Sequence, residues 1–310
     1  GGQTWPQELQ LHIPGLPTDV PNQSDPVVMA RDDGRIYAEA LGYDASGGGN
    51  GHGIFITWTD DNGNTWKNPS VAITHNETPG SLDDKDWFAI DNTPTSPYYH
   101  NMYVAWAYDG ILFKRSTDGG LTWSSSYTNI APGYTEYPYP VVGPDGSVYV
   151  FYMDGWGGGA DGYIRYVKST NGGDSFSAPV TVATTSQPDS PIHGGGYDQF
   201  RFFSIITAAI NPTNKDDMYV GWTDDNGIND GKTDVLYVHS TDGGITWSAP
   251  APISHDDPNV NDHITPVFAM SLDGRLHAFW LDRRADPANK LCTDTTPPLR
   301  TESPGSRIPR

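Results

Sequence analysis

The sequence predicts an all-β protein, a β-propeller built from four-stranded antiparallel blades, and three observations predict it. Residues that disfavour helices are abundant, with 35 Gly, 26 Pro and mostly Asp among the 38 acidic residues. A turn motif is repeated along the chain. A strand–turn–strand pattern comes before each complete copy of that motif.

The repeated motif, which we call the box, reads Ser/Thr-x-Asp/Asn-x-Gly-x-Thr/Ser-Trp/Phe. Its Asp or Asn can accept backbone N–H groups across a turn, and its Gly can adopt a positive φ. The aromatic residue can then pack between neighbouring sheets. Four complete copies and a leading half copy place that aromatic residue at Trp5, Trp66, Trp123, Phe176 and Trp247, which are 61, 57, 53 and 71 residues apart. This spacing suits one four-stranded blade for each copy.

Two apolar strands joined by a tight turn come before each complete box. Asp33-Gly34, Asp145-Gly146 and Asp273-Gly274 are strong hairpin signals between such strands. Each unit therefore reads strand A, turn, strand B, longer loop, strand C, box and strand D. The predicted blades are 24–80, 81–133, 134–190, 198–255 and 256–295, and the last lacks strand C and the box.

We expect a single propeller domain over residues 1–295, with five to six blades. Residues 1–14 contain half a box and one strand, which we expect to close the incomplete last blade. Residues 296–310 fit no blade and are expected to form an atypical tail. If no strand of the same chain fills the last blade, its open edge would pair with another protomer and give a homo-oligomer.

Composition excludes several classes of partner. The 310 residues carry a formal charge of −20, which disfavours nucleic acid and anionic membranes. No apolar run approaches the roughly 18 residues of a membrane span. The single Cys292 cannot form an internal disulfide or a cysteine-based metal site. The acidic, Lys-poor composition is typical of secreted bacterial β proteins, so we expect a secreted or extracytoplasmic protein.

The boxes resemble the Asp boxes of the sialidase (BNR-repeat) superfamily, and the similarity covers roughly residues 1–290. The segments 84–91 and 281–284 are similar to those of bacterial exo-sialidase-like propellers. The resemblance implies a glycoside hydrolase that removes a terminal acidic sugar, sialic acid, from glycans. Sialidases use an arginine triad, a Tyr–Glu nucleophile pair and an Asp acid/base. They also carry an early Arg-Ile-Pro element, whereas here that tripeptide occurs only at 307–309.

Strand direction places the candidate site at one end of the blades. The starts of the A strands and the B–C loops share one face, and the A strands are innermost, so their starts ring the channel mouth. Arg201, Arg283 and Arg284 map there, and arginine can bind a carboxylate through two parallel hydrogen bonds. The other expected substrate-binding residues are Asp25, Lys85, Trp156 and Tyr197.

The expected catalytic residues surround Glu136, the only Glu among the predicted mouth positions. In a strand, Glu136 and Tyr134 would share a side, so the Glu could act as base to that Tyr, and Tyr137 is also close. Asp86 is a candidate acid, and His263 could carry a proton near neutral pH.

Other functions fit the same pattern. The chain could be a non-catalytic propeller that binds glycan or protein, or a polysaccharide lyase acting on uronic acids with His and Tyr as base and acid. No cofactor is expected to be required. An oxygen-rich loop that contains Asp224, Asp225 and Asp230 is a candidate site for a structural calcium ion.

Overall fold

The computed structural model describes residues 22–43, 52–74, 83–155, 162–186, 204–225, 233–254 and 262–282. Their regular structure consists of 18 β-strands in five antiparallel sheets. Within these ranges, no helix has the length and apolar character that crossing a membrane would require.

Each sheet is one blade, with its strands in chain order. Blade 1 contains β1 (Asn22–Ala30), β2 (Ile36–Tyr43), β3 (His52–Thr59) and β4 (Ser70–Thr74). Blade 2 contains β5 (Asp84–Ile90), β6 (Met102–Ala107), β7 (Gly110–Ser116) and β8 (Thr128–Pro132). Blade 3 contains β9 (Thr135–Val142), β10 (Val148–Asp154), β11 (Gly162–Ser169) and β12 (Val180–Thr185). Blade 4 contains β13 (Ile206–Asn211), β14 (Asn214–Asp224), β15 (Asp234–Ser240) and β16 (Ala251–Pro252). Blade 5 contains β17 (His263–Met270) and β18 (Leu276–Asp282).

The first strands of the five blades lie side by side. β1 contacts β5, β5 contacts β9, β9 contacts β13, and β13 contacts β17. The sheets therefore radiate from a common set of inner strands, and the predicted β-propeller is confirmed. The expected closing strand in residues 1–14, the tail at 296–310 and the rest of blade 5 lie outside the described residues.

Apolar side chains from facing sheets fill the seams between blades. The box aromatic residues extend three of these seams, as their sequence positions predicted. Trp123 packs against the cluster between blades 1 and 2. Phe176 meets Phe113 of blade 2 edge-on, with the ring centroids 4.8 Å apart. Trp247 meets Phe151 of blade 3 in the same way at 6.3 Å.

The four boxes form one kind of turn. In the first, Asp61 Oδ1 accepts hydrogen bonds from the Thr65 amide at 2.9 Å and the Thr59 hydroxyl at 2.7 Å. The Thr65 hydroxyl donates to Asp61 Oδ2 at 2.6 Å. Hydrogen bonds from Thr65 and then Thr59 lower the pKa of Asp61 to about 2. Each box has its glycine at a positive φ between 84° and 88°, at Gly63, Gly120, Gly173 and Gly244.

The turns of the second to fourth boxes are each bound by the blade before them. The Tyr37 hydroxyl of blade 1 donates to the Gly119 carbonyl of the second box at 2.8 Å. Arg115 of blade 2 donates to the Gly172 carbonyl at 2.7 Å. The Tyr166 hydroxyl of blade 3 donates to the Gly244 carbonyl at 3.1 Å. In these three hydrogen bonds the donor therefore lies on the earlier blade and the acceptor in the box turn of the next blade.

A β-bulge recurs near the start of four inner strands. In blade 2, Asp84 pairs with Ala107 and Trp87 with Ala105, so three steps on β5 oppose two on β6. Inner strands β1, β9 and β17 show the same extra residue. The first bulge residue has a positive φ in all four, at Asp25 (50°), Lys85 (55°), Tyr137 (55°) and Thr265 (57°). Such bulges redirect side chains and are common beside functional sites.

Candidate functional site

The bulges define one end of the propeller, which we call the mouth. There the inner strands begin, whereas the box turns lie at the opposite end, since Ile36 at the start of β2 pairs with Thr59 of the first box. Asp25, Lys85 and Tyr137, which the sequence predicted as site residues, are the first bulge residues of blades 1, 2 and 3. The repeated bulge therefore places these side chains at one level of three adjacent strands.

Lys85 and two aspartates form an ionic cluster at the mouth. Lys85 Nζ lies 2.7 Å from Asp84 Oδ1, and the Lys85 amide donates to the same oxygen at 2.9 Å. Asp25 of blade 1 shares a hydrogen bond with Asp84. Burial raises the pKa of Asp25, the charge of Lys85 opposes that rise, and the charge of Asp84 adds to it. Lys85 Nζ is thus paired with Asp84, and a substrate-binding role for Lys85 and Asp25 remains a prediction.

Glu136 lies beside this cluster on blade 3. Its Oε2 is buried and has no hydrogen-bond partner among the described residues. Burial raises the pKa of Glu136 to about 7, with the negative charge of Asp84 adding to the rise and Lys85 opposing it. A carboxyl group with this pKa holds a proton at neutral pH and can also release it.

Two further carboxyl groups are buried deeper. Asp86 is 3% exposed and Glu39 of β2 is 1% exposed. All four of their carboxyl oxygens are without a hydrogen-bond partner in the part of the chain that the structure describes. Burial raises the pKa of both groups well above the usual range, and each also experiences the charge of Asp25. Burial therefore favours the protonated form of both carboxyl groups.

The two candidate tyrosines have different surroundings. Tyr137 is 5% exposed, and Lys85 Nζ lies 6.0 Å from its ring centroid. Tyr134 comes just before β9 and is 85% exposed. Its carbonyl accepts a hydrogen bond from the Gly155 amide at 2.9 Å. Tyr134 therefore presents its ring to solvent two residues before Glu136.

His263 is buried in the seam between blades 4 and 5. Its Nδ1 lies 3.1 Å from Asp234 Oδ1, and its Nε2 lies 3.6 Å from Asp282 Oδ1. A similar pair joins blades 1 and 2, where His52 Nδ1 lies 2.7 Å from Asp83 Oδ2. The His263–Asp234 and His52–Asp83 contacts each link two neighbouring blades. A proton-carrying role for His263 remains a prediction.

The metal hypothesis concerns the end of β14. Asp224 Oδ2 accepts hydrogen bonds from Trp222 Nε1 at 2.7 Å and from the Ser186 amide at 3.2 Å. Across the described ranges, no group of three or more His, Cys, Asp or Glu residues is placed to hold a metal ion. Asp230 lies outside those ranges, so the calcium site remains a prediction.

Several predicted substrate-binding residues also fall outside the described residues. They are Arg201, Arg283, Arg284, Trp156 and Tyr197. The arginine hypothesis for a carboxylate therefore remains a prediction.

Sequence reasoning missed Asp84 and Glu39. Asp84 stands in the charged run Asp83-Asp84-Lys85-Asp86, and Glu39 interrupts the apolar strand Tyr37-Ala38-Glu39-Ala40-Leu41. A charged residue inside an apolar strand was a readable signal for Glu39. In the other three bulges the second residue is a proline, namely Pro26, Pro138 or Pro266. Asp86 occupies that position in blade 2, so the bulge that brings Asp84 to the mouth has no comparable signal in the sequence.

Sequence comparison gives one distant relative. No family model matches the chain. A xyloglucanase from Paenibacillus sp. is 24% identical over 266 residues, which are 80% of this chain and 22% of the relative. The chain thus spans less than a quarter of the length of the curated relative it matches.

Structural comparison finds propellers of several enzymes. An α-L-arabinofuranosidase from Fusarium graminearum superposes with a TM-score of 0.56 at 13% identity, covering 88% of this chain and 81% of that one. An α-L-arabinanase from Penicillium chrysogenum gives 0.55 at 12%, covering 88% and 82%. The NanB sialidase from Streptococcus pneumoniae gives 0.55 at 9%, covering 87% and 58%. At these identities the likeness shows the fold, and the resemblance to sialidase-type propellers is confirmed at that level.

Proposed function

We propose that the protein is a glycoside hydrolase that cleaves its substrate at the mouth, next to Glu136. The observation that carries this proposal is the pairing of two unlike carboxyl groups. Glu136 has a pKa of about 7, whereas the neighbouring Asp84 forms an ion pair with Lys85 Nζ at 2.7 Å. Glycoside hydrolysis uses one protonated and one ionised carboxyl group on either side of the scissile bond.

In the proposed reaction, Glu136 donates its proton to the glycosidic oxygen as the bond from that oxygen to the anomeric carbon breaks. Asp84 stabilises the positive charge that develops on the sugar ring. A water molecule adds to the anomeric carbon, and its proton passes to a mouth carboxylate. Asp25 and Lys85 position Asp84, and the carboxyl groups of Asp86 and Glu39 are buried near Asp25.

The similar proteins support glycan hydrolysis in general and do not point to one substrate. A xyloglucanase, arabinan-degrading enzymes and a sialidase are all among them. The sequence-based hypothesis of an exo-sialidase needs a cation for the sugar carboxylate, and it depends on Arg201, Arg283 and Arg284. A secreted or extracytoplasmic location suits an enzyme that acts on such glycans.

The experiment is a substrate panel with the wild-type chain and Glu136→Gln. The panel contains 4-methylumbelliferyl sialoside and arabinofuranoside, reducing-sugar assays on xyloglucan and arabinan, and an absorbance assay for unsaturated uronate. We expect hydrolysis of at least one glycan and a loss of roughly 10²–10⁴-fold in Glu136→Gln.

A matched control is Asp145→Asn, which changes a carboxyl group of the same blade in the turn at the opposite end. This variant should keep wild-type activity. Unsaturated uronate as the product would support the lyase alternative. No turnover on any glycan would contradict the proposal and support a non-catalytic binding propeller.

A further inference from the structure

We infer that the mouth edge of blade 3 carries a binding subsite for a neutral sugar ring, formed by Tyr134 and Tyr163. This inference rests on the proposed function and specifies the substrate class of the same site. The two tyrosines lie at the mouth ends of β9 and β11, with β10 between them.

The strand register fixes the distance between the backbones of the two tyrosines. Asp154 of β10 pairs with Thr135 of β9 on one side and with Tyr163 of β11 on the other. The neighbouring Gly155 amide donates to the Tyr134 carbonyl at 2.9 Å. The two tyrosine backbones are therefore about two strand spacings apart, roughly 10 Å. Tyr134 is also two residues from Glu136 along the chain, at the same end of blade 3 as the proposed acid.

Both rings are unusually open to solvent. Tyr134 is 85% exposed, more than any other large apolar or aromatic side chain in the described residues, and Tyr163 is 43% exposed. Large aromatic side chains such as Trp106, Trp222 and Tyr149 are instead buried. An exposed aromatic face removes apolar surface from water when it stacks on the C–H face of a sugar ring, and its hydroxyl remains able to form hydrogen bonds.

An ion pair holds Tyr163 in place. Arg165 Nη1 lies 2.5 Å from Asp154 Oδ2, and the Arg165 guanidinium lies 4.9 Å from the centroid of the Tyr163 ring. A side chain already fixed by its neighbours loses little conformational entropy when a ligand binds. The pair also offers N–H donors and a carboxylate acceptor to sugar hydroxyl groups without adding net charge.

Charge favours a neutral ligand over an anionic one. In the described part of the mouth of blades 2 and 3, Lys85 pairs with Asp84 and Arg165 pairs with Asp154. Asp25 adds a further carboxyl group to the same region. A sugar carboxylate would thus meet acidic groups, with both of these cations already bound. A neutral pyranose or furanose ring avoids that repulsion.

The test measures binding separately from turnover. Glu136→Gln is the parent for isothermal titration with xyloglucan and arabinan oligosaccharides, so hydrolysis does not consume the probe. Adding Tyr134→Ala or Tyr163→Ala should weaken binding about tenfold or more, which corresponds to about 1.4 kcal/mol. Tyr134→Phe should retain most of the affinity, because the stacking face remains.

Two controls make the result specific. Tyr99→Ala removes a partly exposed tyrosine that bonds Asp32 at the opposite end of the blades, and it should leave binding unchanged. Sialyllactose and oligogalacturonate should bind at least tenfold more weakly than the best neutral probe. Circular dichroism melts establish that each variant is folded.

Three results would overturn the inference. They are tighter binding of an acidic probe, unchanged neutral binding in both alanine variants, and no neutral probe binding to the parent. Failure of the proposed function has a different signature, namely neutral binding that depends on Tyr134 and Tyr163 with no hydrolysis by the wild-type chain.

Discussion

At the scale of single residues, Glu136 combines two properties that a proton donor requires. Its carboxyl group has a pKa near neutrality because the surroundings are buried and Asp84 adds negative charge. Its Oε2 is buried without a protein partner in the described structure, but the residue as a whole is partly exposed at the mouth. Asp86, by contrast, is only 3% exposed, and its role as the acid remains a prediction.

The pKa of Glu136 sets the expected pH dependence. As a general acid it must be protonated in the free enzyme, so kcat/KM should be high below about pH 7 and fall about tenfold per pH unit above it. Lys85→Met removes the positive charge that lowers this pKa, and the alkaline limb should move to higher pH. Lys215→Met at the opposite end is the control and should not move it. A limb unaffected by Lys85→Met would contradict the assignment.

Glu39 should show the stability cost of a buried acid. Its folded-state pKa is raised by burial and by Asp86, so the stability that the protonated form contributes is complete below the unfolded value of about 4.3. That stability is lost as pH rises toward the folded pKa. We therefore expect Glu39→Gln to raise the melting temperature, and to raise it more at pH 8 than at pH 4.5.

The control for Glu39 is Asp145→Asn, which neutralises an exposed carboxyl group and should give no comparable pH-dependent gain. Differential scanning calorimetry at both pH values measures the effect. Equal melting temperatures for Glu39→Gln and the wild-type chain at pH 8 would mean that the carboxyl group is solvated or paired.

At the scale of elements, the sequence predicted the box turns but not the bulges. The boxes were predicted residue by residue, because each hydrogen bond depends on a local side chain such as Asp61 or Thr65. The bulges were not predicted, because an extra residue in a strand leaves apolar alternation ambiguous. The bulge at Lys85 explains why Asp84 lies in the mouth cluster and Asp86 lies beneath it.

Asp118 of the second box tests the contribution of one turn. It accepts hydrogen bonds from the amides of Leu121 and Thr122 and from the hydroxyls of Ser116 and Thr122. Asp118→Ala should lower the free energy of unfolding by about 1–2 kcal/mol, measured by urea denaturation. Asp118→Asn should cost less, because Asn171 makes matching bonds to Ser169 and Ser175 in the third box. Equal losses for both variants would contradict this account.

At the scale of the whole molecule, the sequence predicted the order of the blades but only part of the candidate site. Repeats along the chain predicted the radial sheets, and Glu136, Asp25, Lys85 and Asp86 were all predicted to lie at the mouth. The surroundings of Glu39 and the Asp154–Arg165 ion pair depend on which strands become neighbours. A single sequence does not specify those side-chain neighbours, so they emerged only from the structure.

The net charge of −20 gives a prediction for the entire chain. Mutual repulsion of carboxylates destabilises the compact state, and salt screens it with a Debye length that falls from about 30 Å at 0.01 M to about 10 Å at 0.1 M. The melting temperature at pH 8 should therefore rise as NaCl increases over this range. A decrease would mean that attractive ion pairs, such as Arg35–Asp60, outweigh the overall repulsion.

The hydrogen bonds that blades 1, 2 and 3 donate to the box turn of the following blade have a consequence for protein synthesis. As the ribosome releases the chain, blade 1 emerges before the turn whose carbonyl Tyr37 will bind, and the same order holds for Arg115 and Tyr166. The hydrogen-bond donor on the earlier blade is therefore synthesised before the box turn that it binds. Truncation from the carboxyl end should leave the hydrogen bonds among the remaining blades intact, whereas removal of the first sheet would leave the Gly119 carbonyl without its Tyr37 donor.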